Sequence, residues 1–302
     1  MESARGFLII FNPRAGRGRS YEILRTVTSA LDDRIAPVIE TTLDGAFAAR
    51  LRERHREITA RTGLPPVIVA VGGDGTLSLT LNAMRDPDES PVAIVPAGSG
   101  NDFAAALGIA DARAALAAIE VGETRRVDLA TVNGRRFVNC VGMGLDAEVG
   151  ALSARLRARG FPAGPSYYAG ALVGLFMVRP VGVALRAEGR SIRSDDAVMV
   201  TVGNGPMYGG GFRGAPGATL DDGLLDVFTF SNVDGFFRRF ALMQRIKAGT
   251  HPTDPNVTAF QTASLAVTFD RDVAMHVDGE IATVRSAAIE LSPRAWAVVA
   301  PP

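Results

Sequence analysis

The apolar run Val67-Ile68-Val69-Ala70-Val71 ends in Gly72-Gly73-Asp74-Gly75-Thr76, and a helix-like stretch begins at Leu77. A short continuous apolar run predicts a strand buried on both faces. The glycines let the backbone bend and approach a ligand closely. Such a strand-to-helix turn offers free N–H groups and a helix dipole to an anion. Asp74 is out of place beside a phosphate unless a cation lies between them, so it points to Mg²⁺ or its waters. An ordinary glycine-rich turn with an aspartate cap accounts for the same residues. Three further groups have the types for chemistry. Ser99, Asn101 and Asp102 follow Gly98 at a second strand end, where they could meet phosphate and metal or simply open a helix. Asp221-Asp222-Gly223-Leu224-Leu225-Asp226 could hold a divalent cation with carboxylate and carbonyl oxygens, or form a solvated turn. Met275-His276-Val277-Asp278-Gly279-Glu280 would aim Asp278 and Glu280 the same way if one strand ran through Gly279. The competing reading is a hairpin tip at Asp-Gly. His276 reads as a satisfied strand histidine.

The elements that must position these residues alternate at first. Apolar runs at 6–11, 36–42, 67–71 and 91–96 are separated by helical stretches at 20–31, 46–60 and from Leu77, with helices at 104–107 and 113–121 after the last. That alternation predicts a doubly wound parallel sheet over residues 1–127. The loops beginning at Asn12, Gly72 and Gly98 all leave carboxyl ends of strands, the edge at which such sheets bind ligands. Beyond Val127 the strands lose their intervening helices. Asn133-Gly134 is a hairpin signal between runs at 127–132 and 136–141. Strands at 181–187, 196–202, 225–230, 264–269, 274–277 and 287–291 predict a mostly antiparallel β domain over 128–291. Its one helical exception is 151–178, broken near Gly160-Phe161-Pro162. The uncharged stretch 167–178 is too short to span a bilayer and reads as core helix, with a lipid-facing surface as the alternative.

Composition narrows the class. The chain has 302 residues, is 47% hydrophobic and has formal net charge zero. That suits a two-domain globular protein and gives no general nucleic-acid-binding surface. One cysteine, Cys140, and three scattered histidines exclude a disulfide framework and zinc spacing and fit a reducing cytosol, and the N-terminus shows no signal peptide. Lys247 is the only lysine, so the Walker pattern is absent.

Taken together, Asn12-Pro13-x-x-Gly16, Gly72-Gly73-Asp74-Gly75-Thr76, Pro96-x-Gly98-Ser99-Gly100-Asn101-Asp102, Gly142-x-Gly144-x-Asp146-Ala147, Tyr208-Gly209-Gly210-Gly211, Asp221-Asp222-Gly223-Leu224-Leu225-Asp226 and Asp278-Gly279-Glu280 resemble, in that order, the diacylglycerol kinase catalytic family. The resemblance covers about residues 6–300 and favours its bacterial lipid-kinase branch, related to sphingosine and ceramide kinases. It implies an NAD-kinase- or phosphofructokinase-like nucleotide domain, a β-sandwich-like second domain and an active site in the cleft. The implied reaction transfers the γ-phosphoryl of ATP to a hydroxyl of a diacylglycerol-like lipid. The alternatives are an NAD-kinase-like enzyme and an inactive lipid-binding homologue. ATP would lie on Asn12, Pro13, Arg14, Ala15, Gly16, Thr41, Gly72, Gly73, Asp74, Gly75, Thr76, Leu77, Ser99 and Asn101. Asp74 and Asp102 would serve the catalytic Mg²⁺ region, and a second Mg²⁺ would use Asp222 with the carbonyls of Thr219 and Leu224. Glu280, with Asp278 orienting the hydroxyl or metal, would accept the proton. The chain end, 292–302, would return to the first domain through Trp296. Expected partners are the lipid, a transient membrane surface and a second copy of the chain, in the cytoplasm at the inner membrane face.

Overall fold

The computed structural model describes residues 5–31, 36–42, 45–177 and 179–301. Contacts divide the chain into two compact units, Met1–Val127 with Arg294–Pro302, and Asp128–Pro293.

Unit 1 alternates strand and helix. Its elements are β1 (Phe7–Phe11), α1 (Arg19–Ala30), β2 (Val38–Glu40), α2 (Ala46–Thr62), β3 (Val67–Gly72), α3 (Asp74–Ala83), β4 (Val92–Pro96), α4 (Asp102–Ala106) and α5 (Ala112–Val121). β1 pairs in parallel with β2 and β3, and β3 with β4. Every residue of β1 and β4 is buried, as a parallel strand covered by helices on both faces requires. Val298 and Val299 add a parallel pairing on the outer side of β4. Trp296 is fully buried there and stacks on Phe103, the ring centroids 5.7 Å apart. Ser20 lies inside α1, and its hydroxyl donates to the Pro13 carbonyl.

β5 (Thr124–Val132) leads into unit 2, which continues with β6 (Arg135–Phe137), β7 (Cys140–Gly144), α6 (Leu145–Ala158), α7 (Ala163–Gly174), β8 (Val181–Ala187), β9 (Arg190–Gly203), β10 (Leu225–Ser231), α8 (Phe236–Ala248), β11 (Val257–Thr262), β12 (Ser264–Val277) and β13 (Glu280–Val299). The strand order β11-β10-β9-β7-β12-β13 is antiparallel in every pairing, and β8 joins β9 to β12. Alternating side chains such as Leu265, Val267, Leu185 and Val202 fill the core between these strands.

Four local expectations change. The run 136–141 is two strands, because Asp278 takes the backbone N–H groups of Val138, Asn139 and Cys140 out of any ladder. The strand through Gly279 does not exist. β12 stops at Val277, which pairs with Glu280, and Asp278 and Gly279 turn with φ of 47° and 89°. Two consecutive positive φ values make the tight hairpin that Asp-Gly favours, so Asp278 and Glu280 do not share a strand face. The helical region starts earlier, at Leu145, and α8 is an addition between two strands.

Candidate functional site

In unit 1, three loops meet at the carboxyl ends of β1, β3 and β4, and their contacts are backbone-close. A Cβ on Gly98 would sit 2.5 Å from the Gly73 Cα, and one on Gly16 would lie 2.4 Å from the Ala97 carbonyl oxygen. Gly16 also has φ of 59°, so only glycine meets both demands without strain. Side chains lock the loops. Asn12 Nδ2 donates to Thr76 Oγ1 at 3.1 Å, and Asn12 Oδ1 accepts the Arg14 N–H at 3.0 Å. Asn101 closes its own loop, taking the Gly98 N–H at 2.9 Å and donating to the Gly98 carbonyl at 3.0 Å. Asp74 accepts the N–H groups of Asp102 and Phe103, both at 3.0 Å, and so ties the β3 loop to the start of α4. Thr41 follows β2 with its N–H on the Phe11 carbonyl, beside Asn12.

This cluster gathers the predicted nucleotide residues at one edge of the sheet. Gly75, Ser99 and Arg14 are its exposed members, while Pro13, Gly73, Asp74 and Asn101 are half-buried. A Cβ on Gly75 would meet nothing within 4 Å, so the first turn of α3 faces open space. Gly72, Ala15, Thr76 and Leu77 lie beneath. The N–H groups of Thr76 and Leu77 are both spent on the Gly73 carbonyl, which sets the shape of the turn. The arrangement suits a phosphate: a helix N-terminus, glycine backbone within reach, and the Arg14 cation at the rim.

Unit 2 contains a different site. Side chains of α6, α7, β9 and α8 wall an apolar cavity of about 680 Å³, its open mouth included. Among the described residues, Asp146 is the only acid that lines it. Its Oδ1 accepts the Tyr167 hydroxyl at 2.6 Å, and its Oδ2 lies 3.1 Å from His276 Nε2. Burial alone would raise the Asp146 carboxyl, but His276, Tyr167 and Tyr208 outweigh it and hold the group below the usual carboxylate range. The same burial, reinforced by Asp146, pushes both tyrosine hydroxyls well above the usual phenol range. The pair needs Gly142 beneath it, because a Cβ there would lie 2.2 Å from Asp146 Oδ2 and 2.4 Å from His276 Nε2. Chemically this is an apolar chamber with one ionised, partly satisfied carboxylate in its wall.

The remaining predicted acids fall at turns of unit 2. Asp278 is the acceptor for three backbone N–H groups at 2.9–3.1 Å. Glu280 pairs with Arg135 at 2.7 Å and stays half-exposed. Asp222 is exposed, and its Oδ1 accepts the Leu224 N–H at 3.0 Å, while Thr219 lies nearby in sequence and is exposed. The buried Asp128 accepts the neighbouring Gly223 N–H at 2.8 Å. The Asp226 carboxyl is raised, first by burial, with Asp222 adding to it. A cation beside this turn would relieve that repulsion, and oxygen donors alone suit a hard ion such as Mg²⁺. Among the described residues, no group of three His, Cys, Asp or Glu side chains is arranged to hold a metal by itself.

Comparison with known proteins follows the same division. Residues 6–132 match the model of the diacylglycerol kinase catalytic domain. Residues 139–300, more than half of the chain, match that of the YegS C-terminal NAD kinase beta sandwich-like domain. The chain belongs to the diacylglycerol kinase catalytic family. A protein of Enterobacter sp. (strain 638) named "Probable lipid kinase YegS-like" is 29% identical, the alignment covering 98% of this chain and 96% of that one. A diacylglycerol kinase of Mycobacterium tuberculosis is 28% identical over 96% and 93% of the two chains. Among solved structures, a diacylglycerol kinase from Bacillus anthracis has the same fold, with TM-score 0.69, 23% identity and coverage of 99% and 97%. An NAD kinase from Archaeoglobus fulgidus in complex with ATP is a more distant fold match, with TM-score 0.51, 13% identity and coverage of 97% and 93%. The nucleotide-kinase architecture of the two units is therefore that of the family.

Sequence reasoning missed the chamber of this family member. Gly142 and Asp146 stood in a recognised motif without a role, and His276 was read as a satisfied strand residue. Its Nε2 is paired, but Nδ1 is buried with no hydrogen-bond partner among the described residues. Tyr167 and Tyr208 carried no local signal beyond the glycines that follow Tyr208.

Proposed function

We propose that this protein is an ATP-dependent kinase that phosphorylates a hydroxyl of a diacylglycerol-like lipid. The observation that carries this reading is the apolar chamber of unit 2 with Asp146 as its single acid. Acyl chains gain by burial against such walls, at about 25 cal/mol per Å² of apolar surface. Asp146 gives a lipid hydroxyl one anchoring acceptor, held in place by its contacts with His276 and Tyr167. The loop cluster of unit 1 takes the triphosphate through backbone amides of the α3 turn, with Arg14 and Ser99 at the rim. It does so without a lysine, so charge neutralisation falls on amides, arginine and metal. Asp74 and Asp102 would hold Mg²⁺ through its waters, and Asp222 with the Thr219 and Leu224 carbonyls a second one. Bound Mg²⁺ supplies charge neutralisation at the phosphates.

In the reaction the lipid oxygen bonds to the γ-phosphorus, the bond from that phosphorus to the bridging oxygen of ADP breaks, and the hydroxyl proton leaves to a base. Glu280 is our choice for that base. Asp278 already accepts three backbone N–H groups, so its oxygens are committed to the fold. Its part is to hold the Asp-Gly turn that carries Glu280.

The test is an acceptor screen with labelled ATP. Diacylglycerols, sphingosine, ceramide, NAD and water are offered separately to the full chain. Label in a diacylglycerol-type product and not in NADP supports the reading. Label in NADP alone, or in inorganic phosphate alone, refutes it.

A further inference from the structure

Beside the chamber, unit 2 exposes aromatic rings that a water-facing surface does not need. Phe176 is 74% exposed and Phe237 85%. They belong to one cluster, because Phe236 stacks on Phe176 at 5.2 Å and meets Phe237 edge-on at 5.7 Å and Phe240 at 6.2 Å. Met177 and Val173 extend it along the end of α7, each 46% exposed. The cluster is continuous with the chamber. Leu175 and Arg239 both line the cavity, and Arg239 Nη1 donates to the Leu175 carbonyl at 3.0 Å, joining the end of α7 to the start of α8.

Basic residues outnumber acids around these rings. The chain as a whole balances 32 basic against 32 acidic residues. Yet residues 173–180 and 235–250, which carry the rings, hold Arg179, Arg238, Arg239, Arg245 and Lys247, with the exposed Asp234 as the acid at their border. Arg245 is taken up by Asp254, but Arg179 and Arg238 are exposed. Arg271 joins them by donating to the Arg179 and Pro180 carbonyls. No helix among the described residues is long and apolar enough to cross a membrane, so contact through this surface would be peripheral.

We infer that the Phe176–Phe236–Phe237 tip, with its surrounding arginines, docks on an anionic phospholipid bilayer and sets the mouth of the chamber against the lipid. Aromatic side chains at helix ends settle at the headgroup level, and each nearby arginine adds attraction to anionic lipid. A lipid acceptor then reaches the chamber from the bilayer without crossing water. A second copy of this chain would cover the rings equally well but would bring the same arginines against themselves, which the excess of like charge opposes. The inference rests on the lipid-kinase reading for its purpose and not for its geometry.

Sedimentation with vesicles, without ATP, tests it. Wild type, Phe176→Ala/Phe237→Ala and Arg238→Glu are mixed with neutral phosphatidylcholine vesicles or vesicles carrying one-third phosphatidylglycerol. All three substituted side chains are exposed, so unchanged thermal unfolding verifies the fold. Wild type should pellet with the anionic vesicles and be released by salt. The double variant should bind at least about tenfold more weakly, and Arg238→Glu roughly fivefold more weakly on anionic vesicles only. Both should phosphorylate a dispersed short-chain diacylglycerol at the wild-type rate. Wild-type binding of the double variant overturns the surface. So does a dimer that the double variant converts to monomer with vesicle binding unchanged, which would make this face an interface between copies. If wild type phosphorylates the short-chain lipid but binds no vesicle, the surface falls and the lipid-kinase reading stands. If it binds vesicles through these rings but phosphorylates no lipid, the surface stands and that reading falls.

Discussion

Gly75 separates the fold of the loop cluster from its ligand. It is the second residue of α3, and a Cβ there meets nothing within 4 Å. Glycine in a helix costs roughly 0.5–1 kcal/mol against a good helix former. Gly75→Gln should therefore leave the fold intact and stabilise it by roughly 0.5 kcal/mol, the lower end because the first turn is only half helical. The same side chain projects into the space where the triphosphate is proposed to lie. ATP affinity should fall at least about tenfold, or ~1.4 kcal/mol. Gly98→Ala is the counterpart. Its Cβ would press on the Gly73 Cα at 2.5 Å and on Asn101 Oδ1 at 2.8 Å, so the loops must part. Overpacking of this kind costs about 1–3 kcal/mol. Urea unfolding gives the stability change of each variant, and calorimetric titration with ATP in Mg²⁺ gives the affinity. The decisive result is opposite signs for Gly75→Gln, a more stable protein that binds ATP worse. Wild-type ATP affinity in a stable Gly75→Gln protein would refute the placement of the phosphates at this turn.

Asp278→Ala strips the acceptor from three backbone N–H groups and should destabilise unit 2 by on the order of 3 kcal/mol, read by urea unfolding. Glu280→Gln breaks a half-exposed pair with Arg135, so stability should change by less than about 1 kcal/mol. Turnover should nevertheless fall on the order of 10²–10⁴-fold with ATP affinity unchanged, and near-normal turnover would remove Glu280 as the base. Asp222→Ala should shrink the rise in melting temperature on adding Mg²⁺, and an undiminished response places that metal elsewhere. His251 is fully buried between Phe228 and Phe230, and burial lowers its pKa from the ordinary 6.5. The unfolded chain then binds the extra proton first. This stabilisation is complete above pH 6.5 and is lost as pH falls toward the folded value, by at most about 1.4 kcal/mol per pH unit. His251→Leu should flatten the pH dependence of unfolding below 6.5, and an unchanged profile would clear His251.

What the sequence made legible divides by the range of the interactions. β1, β3 and β4 could be read because a parallel strand covered on both faces is a plain apolar run, and Gly16, Gly73 and Gly98 mark where such runs end close together. α8 escaped because it sits between two strands of an antiparallel domain, although Gly235 and Gly249 flank it and Arg245 and Lys247 fill its last turn. The hairpin at Asp278-Gly279 was a tie that period-2 counting could not break. Alternation assumes an extended backbone, and the Asp278 carboxylate instead gathers three N–H groups some 140 residues away in sequence. The chamber lay furthest from view for the same reason. His276 and Asp146 are 130 residues apart, and nothing beside either one announces the other. Only Gly142 records their meeting locally, since it leaves unfilled the volume that both side chains need. An unexplained glycine in a buried strand thus predicts that two side chains from elsewhere converge over it. Gly142→Ala would test that rule directly. It should part His276 from Asp146 and let burial, then opposed only by Tyr167 and Tyr208, raise the carboxyl that now sits low.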